Sequence, residues 1–313
     1  MKPQFPKETI DGSFKRQNSI FRNEISPGKP FSPEPDRYHL YLSYACPWAH
    51  RALIVLQLKG LGSCISHSFV DPIRDERGWR FDQKNTKYND PINQFSFLSE
   101  VYKKTDPDYS IRVTVPVLWD KQDSVIVNNE SSDIIVYLNN EFNEYAKIDI
   151  DLYPDVLKAD IDKLNDYIYH TINNGVYKCG FATSQIVYER EVESLFKALD
   201  TVDQLLKNNP YLIGESITLA DIRLFTTLIR FDAVYYGHFK TNKKHIYEFE
   251  NLWQLVKTLY AMPEIGPTVK FDEIKSHYYV THETINPTGV VPVGPNIQEK
   301  LTVRRKNENL KYL

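Results

Sequence analysis

Between Arg37 and Asp71 the apolar residues change period twice, and no other stretch narrows the fold as far. Tyr38, Leu40 and Leu42 alternate with His39, Tyr41 and Ser43, the pattern of a strand. Pro47 then stands at a first helical position, where a missing N–H costs nothing, and "WAHRALIVLQLKG" runs on without a breaker until Gly60 and Gly62. Cys64 to Asp71 (CISHSFVD) reads as a second strand. A strand–helix–strand unit of this kind closes as a right-handed crossover, which makes the two strands parallel.

The rest of the chain divides around that unit. A length of 313 residues exceeds what one core usually serves, so two domains are expected. Residues 1–36 are rich in proline and charge, with four prolines denying helix or inner strand from Ser26 to Asp36, and read as an arm lying on the surface. Residues 37–142 form an α/β domain. After the crossover, residues 72–110 carry little periodicity and read as a long excursion containing Trp79 and Phe81. Val115 to Asp120 and Ser124 to Asn129 make a hairpin, and Ser131 or Ser132 offers the cap of a helix over "DIIVYLNNEF". Residues 143–151 are an acidic linker. Residues 152–270 carry helical periodicity almost throughout, with Thr218 and Asp221 spaced as a capping box. From about Phe271 the periodicity fades, and residues 271–313 read as a tail too aromatic to be free, packing back on the body.

Charge and cysteine content exclude several function classes. A net charge of −3 gives no field for a nucleic-acid backbone or an anionic membrane, and the basic run Arg304 to Lys306 reads as a solvated end. No run approaches the ~18 apolar residues of a membrane span. The first residues lack the apolar core of a secretory signal, and the last three are not the peroxisomal SKL. Three cysteines are too few and too odd for a disulfide framework, which implies a reducing compartment; a cytoplasmic location is expected.

One of those cysteines carries a chemical signal. Cys46 stands directly before Pro47 on a strand-to-helix turn, with the unpaired N–H groups and positive dipole end of a helix ahead of it, a setting that favours thiolate over thiol. A buried structural cysteine is the alternative. Ala49 occupies the second position of a C-x-x-C pair, so no neighbouring thiol could resolve a disulfide on Cys46. Cys46 and His50 have the i, i+4 spacing of a metal pair, but no third ligand is near in sequence and no metal is expected.

The order strand, Cys46-Pro47-Trp48-Ala49, helix, strand, then Val115-Pro116 before a hairpin and Glu130-Ser131 before a helix resembles the thioredoxin-like domain of the glutathione transferases. "ITLADIRLF" in the second half resembles their helical C-terminal domain. Blocks in sequence order from residue 44 to 295, among them "YACPWAHRALIVLQLKGL", "DERGWRF", "NNGVYKCGFATSQ", "RFDAVYYGHFK" and "HYYVTHETINPTGVVPVGP", are similar to the glutathionyl-hydroquinone reductases, the xi class related to the omega class.

The resemblance implies an α/β thioredoxin-like N-terminal domain plus an all-α C-terminal domain, a homodimer, and glutathione as co-substrate. It implies that Cys46 takes glutathione from an aromatic conjugate. Val115, before a cis Pro116, would pair with the cysteinyl part of glutathione; Glu130 would take the γ-glutamyl ammonium and Ser131 its carboxylate; Trp79 and Arg112 would hold the glycine end. Tyr177 and Tyr278 match positions at the aromatic-substrate site, with Tyr279 as the alternative to Tyr278. Taken alone, Glu130 and Ser131 also read as a helix cap, Arg112 as a surface charge and Trp79 as a core aromatic. Two other functions remain open: an omega-like thiol transferase or dehydroascorbate reductase, and a non-catalytic interaction module of the same fold.

Overall fold

The computed structural model describes residues 4–302; the basic run at 304–306 and the end of the 271–313 tail lie outside the described residues. The chain opens with a small hairpin, β1 (Thr9–Ile10) against β2 (Ser13–Phe14). The crossover unit comes next as β3 (Tyr38–Leu42), α1 (Pro47–Leu58) and β4 (Ser66–Phe69), with β3 and β4 parallel. Gly60 ends α1 in the left-handed region at φ 64°, and a Cβ there would lie 2.8 Å from that of Lys147, so both backbone and space require glycine.

The 72–110 excursion contains a helix, α2 (Leu98–Thr105), that its weak periodicity concealed; Glu100 reaches back to the Ser96 and Phe97 N–H groups at its start. The hairpin is β5 (Val117–Asp120) and β6 (Val125–Asn128), antiparallel, and the sheet order is β4-β3-β5-β6. The peptide bond before Pro116 is cis. Beyond the hairpin lies α3 (Ser131–Asn140), whose cap is Glu130 rather than either serine: its carboxylate accepts from the Ser132 N–H. Among the described residues no helix is long and apolar enough to cross a membrane.

The second half is helical: α4 (Lys158–Ile168), α5 (Gly175–Gly180), α6 (Gln185–Leu205), α7 (Leu219–Arg230), the short α8 (Tyr236–His238), α9 (Glu250–Tyr260), α10 (Phe271–Thr281) and α11 (Ile297–Thr302). The Thr218–Asp221 capping box opens α7. Turns of π type, Tyr169–Asn173 and Phe231–Tyr235, carry α4 towards α5 and α7 into α8. The stretch read as aperiodic after Phe271 begins with a helix, α10, and has no further helix until α11. The buried α10 residues Ile274, His277, Tyr278 and Thr281 fall at i, i+3, i+4 and i+7, but His277, Thr281 and the neighbouring buried Glu273 are polar, which hides the stripe.

Burial of α1 and a buried arginine from α7 together set the position of Cys46. The helix α1 is buried along nearly its whole length between the sheet, α3 and α7, and each fully buried Leu, Ile or Val there contributes roughly 1.5–3 kcal/mol. The buried Arg230 of α7 donates from Nε to the Ala45 carbonyl (3.0 Å), from Nη2 to that of Tyr44 (2.8 Å), and from Nη1 to Thr226 O (2.7 Å) and His50 Nδ1 (3.0 Å). His50 Nε2 in turn meets Thr268 Oγ1 at 2.7 Å. Burial, with Arg230 beside it, holds His50 well below the ordinary imidazole range, so it is a neutral structural group facing away from Cys46 chemistry.

The arm also differs from the expectation of a surface segment. Phe14, Ile25 and Glu8 are buried, Arg22 pairs with Asp133 of α3 at 2.6 Å, and Asn23 N–H donates to Val127 O at 3.0 Å along the edge of β6.

Replacing Arg230 with methionine, which keeps the length and removes every side-chain donor, would take the guanidinium from the Tyr44 and Ala45 carbonyls and from His50 Nδ1. Urea denaturation should show a loss of about 3 kcal/mol or more; a loss under about 1 kcal/mol would contradict the strut.

Candidate functional site

Four strand ends meet along one edge of the sheet. The register Leu42↔Phe69, Tyr41↔Val117 and Leu118↔Asn128 puts the C-terminal ends of β3, β4 and β6 beside the N-terminal end of β5. The residues just beyond those ends therefore line up across the edge in the order Glu130–Ser131, Val115, Cys46 and the 72–79 loop. Helices α5 and α10 close the cavity from one side and the arm from another, leaving a cavity of about 390 Å³.

Cys46 is half-buried at the turn into α1, and its Sγ lies 3.6 Å from the Val115 carbonyl rather than capping the helix N–H groups. The Val115 N–H has no protein partner among the described residues. Cys64 and Cys179 are buried, and burial pushes both thiols up. Of the three cysteines only Cys46 opens on the cavity.

The Glu130 carboxylate is half-buried at the cap of α3. Burial opposes its charge, but the Ser132 N–H (3.0 Å) and Oγ (2.9 Å) on Oε1 and Ser19 Oγ (3.0 Å) on Oε2 outweigh that and hold its pKa low. A carboxylate accepts about four hydrogen bonds, so Oε2 keeps one open. Ser131 is buried at the first turn, with Arg51 Nη1 3.4 Å from its Oγ.

Trp79 is buried, as a core aromatic would be, yet it lines the cavity. Its ring stacks on His277 at 4.8 Å, and His277 Nδ1 donates to Pro72 O at 2.6 Å. Arg112 is not free as expected: its Nε and Nη2 hold both oxygens of Glu8 at 2.8 and 3.0 Å. Gln17 of the arm bonds the Arg112 backbone on both sides. Arg112 therefore ties the arm down.

Tyr177 and Tyr278 come together from helices α5 and α10, their hydroxyls 2.6 Å apart at the cavity wall. Successive residues of a helix point about 100° apart, and Tyr279 accordingly packs on His238 outside the cavity that Tyr278 lines. Sequence patterning alone missed Tyr235, whose hydroxyl meets that of Tyr278 at 2.9 Å and extends the pair to a chain of three phenols. Burial raises all three, so each stays protonated near neutral pH.

The arm's contribution was also missed. Arg16 lies over the rings of Trp48 (4.7 Å) and Tyr177 (4.6 Å), with Nε on Asn174 Oδ1 at 2.9 Å, and Phe5 and Phe14 line the cavity beside it. The aromatic and cationic interleaving of "FKRQNSIFRN" was the signal that could have found it. No cluster of His, Cys, Asp and Glu fit for a metal occurs among the described residues.

A thioredoxin-like sheet with a cysteine at the first helix, joined to a helical bundle that covers it, defines a two-domain protein of the glutathione transferase fold. The glutathione S-transferase N-terminal domain profile matches residues 45–141 and the C-terminal domain profile residues 185–257. A Schizosaccharomyces pombe protein named glutathione S-transferase omega-like 2 is 48% identical over 295 residues, covering 91% of this chain and 94% of its own. The Escherichia coli glutathionyl-hydroquinone reductase YqjG is 47% identical over 300 residues, covering 93% and 92%. The crystal structure of the Phanerochaete chrysosporium glutathione-S-transferase Xi superposes with a TM-score of 0.88 at 48% identity, covering 90% of this chain and 98% of that one. The chain belongs to the glutathione S-transferase family, in its xi class.

The buried imidazoles give the fold a pH signature. Burial lowers His39 and His277 to about 3 and His238 to about 4, and holds His50 and His282 well below 6.5. Below about 6.5 the unfolded chain binds protons that the folded one refuses, so stability falls as pH drops from 6.5 towards 4. Asp221, raised to about 6 by burial, and Asp232 and Glu141, also raised by burial, work in the opposite sense, but they are three carboxyls against six imidazoles, since burial lowers His67 as well. Melting temperatures should be flat from pH 8 to 7 and decline below 6.5; a constant value down to pH 5 would contradict these assignments.

Proposed function

We propose that this chain reduces S-glutathionyl-hydroquinones to hydroquinones through a mixed disulfide on Cys46. The observation that carries the reading is the pair of protonated phenols, Tyr177 and Tyr278, hydrogen-bonded on the cavity wall that Cys46 also faces. The name of the Escherichia coli relative supports it.

Glutathione would lie across the strand ends. Its γ-glutamyl ammonium goes to the open side of Glu130 Oε2, and its carboxylate to Ser131 at the start of α3, where helix N–H groups favour an anion. The cysteinyl unit pairs with the Val115 N–H and C=O like an added strand. That pairing takes the acceptor now facing Cys46 Sγ and turns the sulfur towards the ligand. Trp79 flanks the glycine end.

An aryl thioether is a poor electrophile until its ring becomes a keto tautomer, with a proton on the carbon that carries sulfur. The Cys46 thiolate then attacks the glutathionyl sulfur, the carbon–sulfur bond breaks, and its electron pair passes into the ring as the carbonyl becomes a phenolate. That oxygen takes a proton and the hydroquinone leaves. Tyr177 would donate to the ring oxygen, with Tyr278 and Tyr235 behind it along the hydroxyl chain. Free glutathione, as thiolate, attacks the Cys46 disulfide, gives oxidised glutathione and restores the enzyme; Ala49 leaves no internal thiol for that step. Cytoplasmic residence, where glutathione is reduced and three free cysteines persist, and a homodimer belong to the same reading.

Supplied with a glutathionyl-hydroquinone and glutathione, the protein should release hydroquinone. Cys46→Ala should abolish release. Tyr177→Phe and Tyr278→Phe should each lower kcat by about a hundredfold, while leaving exchange with a small glutathione mixed disulfide within about twofold. Tyrosine variants with undiminished hydroquinone release would shift the assignment to an omega-like thiol transferase.

A further inference from the structure

We infer that Arg74 receives the glycine carboxylate of glutathione, the role the resemblance gives to Arg112. The inference rests on the reading that glutathione lies across the strand ends. Ligand positions there follow the order of the sheet, β6, β5, β3, β4. With the γ-glutamyl end beyond β6 and the cysteinyl unit at Val115, the remaining end of the tripeptide points past Cys46 to the loop after β4. Three strand spacings of ~4.8 Å span about 14 Å, close to the reach of an extended γ-linked tripeptide. Arg74 and Trp79 are in that loop and line the cavity.

The two arginines differ in what they already hold. Arg112 has its fork filled by Glu8, a buried carboxylate of the arm, and its backbone clasped by Gln17. Arg74 has neither hydrogen-bond nor ion-pair partner among the described residues; its guanidinium lies over the rings of Phe5 (5.2 Å) and Trp79 (5.8 Å). Burial, and then the charge of Arg112, lower its pKa to about 10, which leaves it cationic at neutral pH. Both carboxylates lining or bordering this cavity are engaged, Glu8 by Arg112 and Glu130 by Ser132 and Ser19. A half-buried guanidinium between aromatic faces, beside a second cation and without a carboxylate of its own, is matched by a ligand carboxylate. The glycine carboxylate is the one part of glutathione that the other site residues leave unmatched.

The test is a two-by-two binding cycle, by calorimetry, of the full chain and Arg74→Met against reduced glutathione and its glycine ethyl ester, which lacks only that carboxylate. The parent should prefer glutathione to the ester by about tenfold, and Arg74→Met should abolish most of that preference while binding the ester as the parent does. Arg74→Lys, which keeps the charge, should keep part of it and serves if the methionine variant folds poorly. Arg112→Met should weaken both ligands alike and lower the melting temperature, because it frees the arm. An Arg74→Met protein that retains the full preference, or loses affinity for both ligands equally, overturns the inference and leaves the hydroquinone reading standing. A parent that binds neither ligand overturns both.

Discussion

A guanidinium buried where the two halves of the chain meet fixes the position of Cys46. Arg230 belongs to the helical half, yet two of its donors end on the carbonyls of Tyr44 and Ala45, immediately before Cys46. Unpaired buried carbonyls are costly, so the turn cannot drift without losing those bonds. Burial, with the same side chain beside it, keeps His50 neutral, and its other ring nitrogen meets Thr268. The cysteine is thereby set at the sheet edge by the helical domain as much as by its own strand.

The proposed seat of the tripeptide is that edge. Parallel and antiparallel pairing bring four strand ends to one line, so a helix start with a carboxylate, a main-chain hydrogen-bonding pair, a sulfur and an aromatic-cationic loop stand in sequence along it. An extended peptide with charged ends suits such a line. The phenols belong to the opposite wall, contributed by α5, α10 and the π turn, where burial keeps them protonated and able to donate. In the proposed reaction, binding and proton supply thus come from different halves, and the cavity lies at the interface between them.

Much of this was legible in the sequence, and the exceptions have physical causes. The β3–α1–β4 unit was readable because its periods switch at Pro47 and stop at Gly60. Cys46, Val115, Glu130 and Ser131 fall along one edge because each is tied in sequence to a strand end. Helix α2 was hidden by its brevity, with only Leu98, Val101 and Tyr102 buried, and α10 by polar residues on its buried face. Arg112 read as a free charge because its partner, Glu8, is 104 residues away in a segment whose prolines suggested an idle arm. Nothing local marks Tyr235 among 21 tyrosines; a π turn brings it to Tyr278.

The chemistry turns on which atom Cys46 attacks. Protein mixed with a glutathionyl-hydroquinone in the absence of free glutathione, then digested and weighed by mass spectrometry, reports this directly. Attack on sulfur predicts one glutathionyl group on the peptide containing Cys46, none on Cys64 or Cys179, and one equivalent of free hydroquinone. An aryl group on Cys46, or hydroquinone released with Cys46 unmodified, would contradict it.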